Sequence, residues 1–356
     1  MPELRPNMKN DKDAPYRKAK KAIAATGELT SLWHVGYACR EKFIEDHKFN
    51  DWRDPRCSAK DFDIYEIYKP WLDRILHINR DSNSTLVLPE KVSAGEATWK
   101  TPAPAEFFVD FETVNDMDDD FSMMPKKNGN TRIFMIGCGH IENGEWKFEC
   151  FIADDLTDEC ELKAITDWAN HMKAVEKRLS PNKQDATQQT LTPSLFDEPS
   201  QSSSEATQQP SNSPIVFHWS PAEKSTFLTQ YESAKERHPG KLPTVNFYDF
   251  LANVIKPKGR EDCVVVKGAF AFGLKAIGKA LHKHGLIETN WADGPTDGLG
   301  AMTGAWWCYD QAKSQGKPIL EITTSSGREL FREIRDYNEV DCKVMYETIN
   351  YLRKNH

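Results

Sequence analysis

Apolar positions along the chain follow two different periods. Between residues 104 and 152 they form short alternating or continuous blocks, "EFFVDFET", "TRIFMIGCGHI" and "EWKFECFIA". β-Branched and aromatic residues dominate these blocks, which predicts three strands. Asn143-Gly144 supplies a two-residue turn between the second and third. "DECELKAITDWANHMKAVEKRL" then switches to helical spacing. Past residue 213 the two periods alternate: strand "PIVFHWS", helix "PAEKSTFLTQYESAKERH", strand "TVNFYDF", helix "GLKAIGKALHKHG", further helices and a terminal helix over about 327–353. Hairpin strands followed by strands alternating with helices predict an α/β fold, a mixed five-stranded sheet flanked by helices.

Two stretches do not share these patterns. Residues 1–100 read as mainly helical and loop-rich, with Trp33, Trp52 and Trp71 available for a small core. Residues 180–213 are dominated by Ser, Thr, Gln and Pro and offer almost nothing to a core, which predicts a disordered insertion in a loop. The expected organisation is therefore a helical region over 1–100 and a main domain over 104–356 that carries the insertion.

Composition narrows the class. With 39% hydrophobic and 28% charged residues, the chain belongs with folded soluble proteins. A formal net charge of −8 argues against a generally basic coat for nucleic acid but leaves room for a local basic track. The 8 cysteines include no CxxC pair and no zinc-like spacing, so reduced thiols and a cytoplasmic location are expected. No apolar run approaches membrane-spanning length, and the charged N-terminus lacks a signal-peptide core.

The first strand raises a chemical question. Asp110 and Glu112 lie two apart in "VDFE", so they share one face of a strand whose neighbours are apolar. Two carboxylates held close in a partly buried place repel each other unless a cation lies between them. A surface-facing acidic pair on an edge strand is the alternative. Far along the chain, "IRDYNEVDCKVMYETINYLRKN" has the apolar stripe Leu330, Ile334, Tyr337, Met345, Ile349 and Leu352 of an amphipathic helix. Tyr337 and Asp341 are four apart and adjacent on one face. An Asp beside a buried stripe needs a partner, and a metal shared with Asp110 and Glu112 would supply one; a solvated helix face and a plain core tyrosine are the alternatives.

Asp-x-Glu on a first strand with Tyr-x-x-x-Asp on a late helix resembles the DnaQ-like (DEDD-type) 3′–5′ exonuclease superfamily, in its tyrosine-containing branch. "YNEVDC" with "FHWSPAE" upstream is similar to the RNase H-like nuclease domains that accompany RecB-type nuclease domains in bacterial proteins. The resemblance covers residues 104–353. It implies an RNase H-like sheet, four carboxylates holding two Mg²⁺ or Mn²⁺ ions, and a tyrosine that orients the attacking water. Asp110, Glu112 and Asp341 match the pattern, with Tyr337 as the tyrosine. The third carboxylate departs from it: Glu223 is the candidate by position, although Ser220-Pro221-Ala222-Glu223 also reads as a capping box. Asp249 in "NFYDF" is the reserve.

Other residues fit nucleic acid. His218 at the end of a strand reads either as a hydrogen-bonded structural histidine or as a group near the phosphate. Lys275 in "GLKAIG" reads either as a phosphate contact or as a helix-surface lysine. "LTSLWHVGYACREKFIEDHKFNDWRDP", residues 29–55, resembles a degenerate helix-hairpin-helix in which Gly36 lets the backbone approach a phosphate, with Arg40 nearby; an ordinary turn with Gly36 as a C-cap is the alternative. Ser194-Leu195-Phe196 in the insertion is similar to the tail of sliding-clamp-binding peptides. The expected function is a metal-dependent nuclease, a 3′–5′ exonuclease on DNA, with a RecB-type nuclease or a sliding clamp as partner. The alternatives are a catalytically weak nucleic-acid-binding module of a larger repair or nuclease complex, and a phosphohydrolase acting on nucleotides.

Overall fold

The computed structural model describes residues 14–83, 85–114, 131–179, 214–219, 226–260, 262–291 and 298–356. The 180–213 segment, with Ser194-Leu195-Phe196, and Glu223 lie outside the described residues. Around the sheet centre, β2 (Glu106–Val114), β3 (Arg132–Glu142) and β4 (Glu145–Ile152) form an antiparallel meander, and β5 (Ile215–His218) and β6 (Phe247–Asp249) continue it in parallel with β2. The strand order is β4-β3-β2-β5-β6. The turn between β3 and β4 uses Asn143 at φ 55° and Gly144 at φ 80°. Two consecutive positive φ values match the right-handed twist of the flanking strands, and Asn and Gly are the residues that tolerate them.

Period-two alternation along β2 sorts its side chains between the two faces of the sheet. Phe107, Val109 and Phe111 enter a core with Ile165, Trp168 and Met172 of α5 (Asp158–Leu179). Phe108 points the other way, into a core shared with Cys342, Met345 and Ile349 of α9 (Leu330–Asn355). Fully burying each large side chain contributes on the order of 2–3 kcal/mol, so a one-residue slip of β2, which would turn Phe107, Phe108, Val109, Phe111 and Val114 to the wrong face, is strongly disfavoured. Register thus fixes Asp110 and Glu112 on the α9 side.

A buried ion cluster ties the opposite layer together. Glu161 of α5 is fully buried and accepts from Arg237 at 2.5 and 2.9 Å, from the backbone N–H of Ile133 at 2.8 Å, and lies 2.9 Å from His238 Nε2. Arg237 ends α6 (Thr226–Arg237), so one carboxylate joins α5, α6 and β3.

The helical N-terminal region contains α1 (Ala14–Ala25), α2 (Tyr37–His47) and α3 (Lys69–Arg80). Residue 100 is not a packing boundary. Trp71, Ile75 and Ile78 of α3 belong to the same core as Phe250, Val265, Leu281 and Ile349, whereas Trp52 sits in a separate cluster with Leu29, Phe43 and Phe62. Two-residue strands β1 (Val87–Leu88) and β7 (Val265–Val266) pair across the two parts, and the Trp71 indole donates to the Arg260 carbonyl at 2.8 Å.

The helix-hairpin-helix expectation for 29–55 is corrected. Its first half is a single 3₁₀ turn, Leu29–Ser31, rather than a helix. Gly36 is the N-cap of α2, not a C-cap, with φ −86° and ψ 179°, extended values open to any residue. Arg40 is buried, its Nε 2.5 Å from Glu28 and its guanidinium also paired with Glu41, which leaves no face for a phosphate. Among the described residues no helix is long and apolar enough to cross a membrane.

Candidate metal centre

Asp110 and Glu112 from β2 meet Asp341 from α9, with a ligand oxygen of each within 4.8 Å of the others. Glu112 and Asp341 are buried and Asp110 is half-buried. Burial pushes all three carboxyls up, and their mutual repulsion adds to the rise for Asp110 and Glu112. Asp341 is pushed up to about 6, even though Lys275 and hydrogen bonds from Trp291 and Tyr337 pull the other way. Three carboxylates gathered out of water cost several kcal/mol unless protonated or matched by positive charge. Hard oxygen donors that converge in this way suit Mg²⁺ or Mn²⁺ and leave sites on the ion for water and phosphate.

Each carboxylate is held by neighbours. Asn338, three residues before Asp341, is fully buried and its amide donates to Asp110 Oδ2 at 3.1 Å and also to Glu112. It can approach because Gly137 lies opposite Asp110 in the β2–β3 ladder: a Cβ there would sit 1.6 Å from Asn338 Oδ1. Trp291 donates its indole N–H to Asp341 Oδ1 at 2.7 Å. Its ring sits beside Gly278 of α7 (Leu274–Lys283), where a Cβ would come within 3.1 Å of it.

Tyr337 donates to Asp341, and burial together with the three carboxylates raises its phenol well above the ordinary range. The hydroxyl therefore stays protonated and serves as a donor rather than as a base. Lys275 Nζ lies 4.5 Å from the centre of the Tyr337 ring, and among the described residues it is the cation that acts on all three carboxylates. The centre opens on a cleft of about 560 Å³ whose lining includes Asp110, Asp341, Tyr337, Lys275 and, from the N-terminal region, Trp33 and His34. Gly273, Leu274 and Lys275 at the start of α7 also line it, and no side chain caps that helix end. Such an N-terminus favours anions.

The structure thus brings together Asp110, Glu112, Tyr337, Asp341 and Lys275. The reserve ligand Asp249 stays apart, its Oδ1 accepting the Ala252 N–H at 3.1 Å. His218 is fully buried in the sheet, and burial lowers its imidazole to about 3, so it stays neutral and away from a phosphate. Gly36 and Arg40 do not line the cleft. Asn338, Gly137, Trp291 and the Trp33–His34 wall escaped the sequence reading. Only Asn338 left a trace, as the unassigned polar residue in "YNEVDC".

No family model, curated protein or solved structure matches the chain.

Proposed function

We propose that the chain is a metal-dependent nuclease of RNase H-like architecture that removes nucleotides from the 3′ end of DNA. The observation that carries this reading is the convergence of Asp110, Glu112 and Asp341, of which Asp110 and Asp341 line a cleft that also presents Tyr337 and Lys275. The β4-β3-β2-β5-β6 order, with an antiparallel meander continued by two parallel strands, supports the RNase H-like part. The donor set fits hard divalent cations, and two of them would activate a water, neutralise the scissile phosphate and stabilise the leaving oxygen.

The chain's own groups divide the remaining work. Asp110, Glu112 and Asp341 would hold the ions, and Asn338 and Trp291 fix the carboxylates that ligate. Tyr337, its proton held by Asp341, orients the attacking water by accepting a hydrogen bond from it. Lys275 and the first turn of α7 bind non-bridging phosphate oxygens. Water oxygen bonds to phosphorus as the P–O bond to the 3′ oxygen of the preceding nucleotide breaks. That oxygen takes up a proton, leaving a shortened strand with a 3′-hydroxyl and a nucleoside 5′-monophosphate. Incubating 5′-labelled single-stranded DNA with Mn²⁺ tests the reading. A ladder shortening from the 3′ end is expected, slowed at least about a hundredfold by Asp341→Asn. Cleavage that survives the substitution, or no cleavage at all, contradicts it, and strand binding without cleavage favours a nucleic-acid-binding module.

A further inference from the structure

The cleft that Asp110 and Asp341 line is also lined by aromatic rings, and these do not stop at the cleft. His34 lines both the main cavity and a second one of about 400 Å³ formed with Asp63, Ile64, Tyr65 and Tyr68. Its backbone is in the left-handed region at φ 60°, uncommon for a residue with a side chain. That conformation places its ring against Tyr68, stacked at 4.5 Å with 22° between planes. Tyr68 meets Tyr65 edge to face at 5.5 Å, and Tyr65 is 75% exposed. On the inner side Trp33 is wedged edge-on against Phe272 at 5.1 Å, with the Lys256 ammonium 4.4 Å from its ring centre. A row of rings held by packing therefore runs from the cleft that Asp110 and Asp341 line to the surface of the N-terminal region.

Rings in such a row bind nucleobases of any sequence by stacking, provided that the bases are unpaired. Asp63, the carboxylate in the second cavity, is 2.9 Å from Lys42 Nζ, so its charge is offset. Lys275 in the main cavity supplies positive charge where phosphates would pass, whereas Lys256 is buried among the rings of Trp33, Tyr68, Trp71 and Phe272 and holds that wall together. We propose that Trp33, His34, Tyr68 and Tyr65 form a stacking track for single-stranded nucleic acid, which leads the strand into the carboxylate cleft. This inference rests on the nuclease reading for its direction, and it gives the N-terminal region the task of selecting unpaired strands.

The test is fluorescence anisotropy with labelled dT12 and with a dT12·dA12 duplex. It uses the full chain carrying Asp110→Asn in Mg²⁺ buffer, so that the strand is not consumed. His34→Asn removes the ring with a residue that tolerates a left-handed backbone, and Tyr65→Ala alters an exposed side chain. Each is expected to weaken dT12 binding about tenfold, and the duplex is expected to bind more weakly than dT12. Trp307→Ala, at an exposed aromatic on α8 (Gly298–Gln315) outside both cavities, serves as control and is expected to change nothing. Unchanged affinity in His34→Asn and Tyr65→Ala, equal losses in the control, tighter duplex binding, or no strand binding at all would overturn the track. Cleavage by the wild-type chain is followed separately. Cleavage with no effect of Tyr65→Ala on binding removes the track alone, and lost binding without cleavage removes the nuclease reading alone.

Discussion

At the scale of single residues, the site depends on a side chain that no charge pattern announces. Asn338 donates to Asp110 and Glu112 from α9, and Gly137 leaves the space that it occupies. Replacing Asn338 by Ala removes the hydrogen bonds but none of the carboxylates, and is expected to reduce Mn²⁺ affinity about ten- to a hundredfold, read by calorimetric titration. Gly137→Ala drives a methyl into the amide and is expected to cost about 1–3 kcal/mol in urea denaturation, with a matching loss of metal affinity. Full affinity in both variants would show that the carboxylates need no such support. His218 carries a different residue-scale consequence. Its imidazole is lowered to about 3 by burial from an ordinary value of 6.5, so the unfolded chain binds the extra proton between those values. Stability from this group is complete above about pH 6.5 and is lost as pH falls, by at most roughly 1.4 kcal/mol per unit. Urea denaturation from pH 7 to 5 is expected to show a flatter dependence in His218→Phe than in the wild type, and parallel curves would contradict the assignment.

At the scale of elements, Glu161 holds α5, α6 and β3 through one buried carboxylate. Glu161→Ala leaves the half-buried Arg237 without its anion and the buried Ile133 N–H without its acceptor, and is expected to cost about 3–5 kcal/mol, measured by urea denaturation; a loss below about 1 kcal/mol would contradict the clamp. Elements were also where the sequence was most legible. The three-strand meander shows as runs of β-branched and aromatic residues, the Asn143-Gly144 turn as a two-residue hairpin signal, and the 158–179 helix and the terminal helix as period-3.6 stripes. α8, "GLGAMTGAWWCYDQAKSQ", was not singled out: its glycines and adjacent tryptophans blur a helical period. One of those glycines, Gly304, allows Leu330 and Ile334 of α9 to pack within 3.3 Å of where a Cβ would be. β1 and β7, two residues each, are too short to carry any period. The helix-hairpin-helix resemblance failed because sequence spacing says nothing of burial, and Arg40 spends its charge on Glu28.

At the scale of the whole molecule, long-range pairing makes the site. Asp110 and Asp341 are distant in the chain, and the aromatic lining of the cleft joins Trp33 and His34 of the first 70 residues to Trp219 and Phe272. The helical region shares a core with the segment after residue 250 and supplies Trp33 and His34, so sheet, terminal helix and N-terminal region together enclose one cleft. Such tertiary meetings leave no period in the sequence. The carboxylate pair was readable because alternation fixes its face, but the aromatic wall was not. The central claim is that β2 and α9 bring three carboxylates together to hold divalent metal. Calorimetric titration of Mn²⁺ into the wild-type chain, Asp110→Asn and Asp341→Asn tests it most directly. Saturable binding by the wild type, weakened at least about tenfold in each variant, is the predicted result. Equal binding in all three proteins, or none in the wild type, would contradict it.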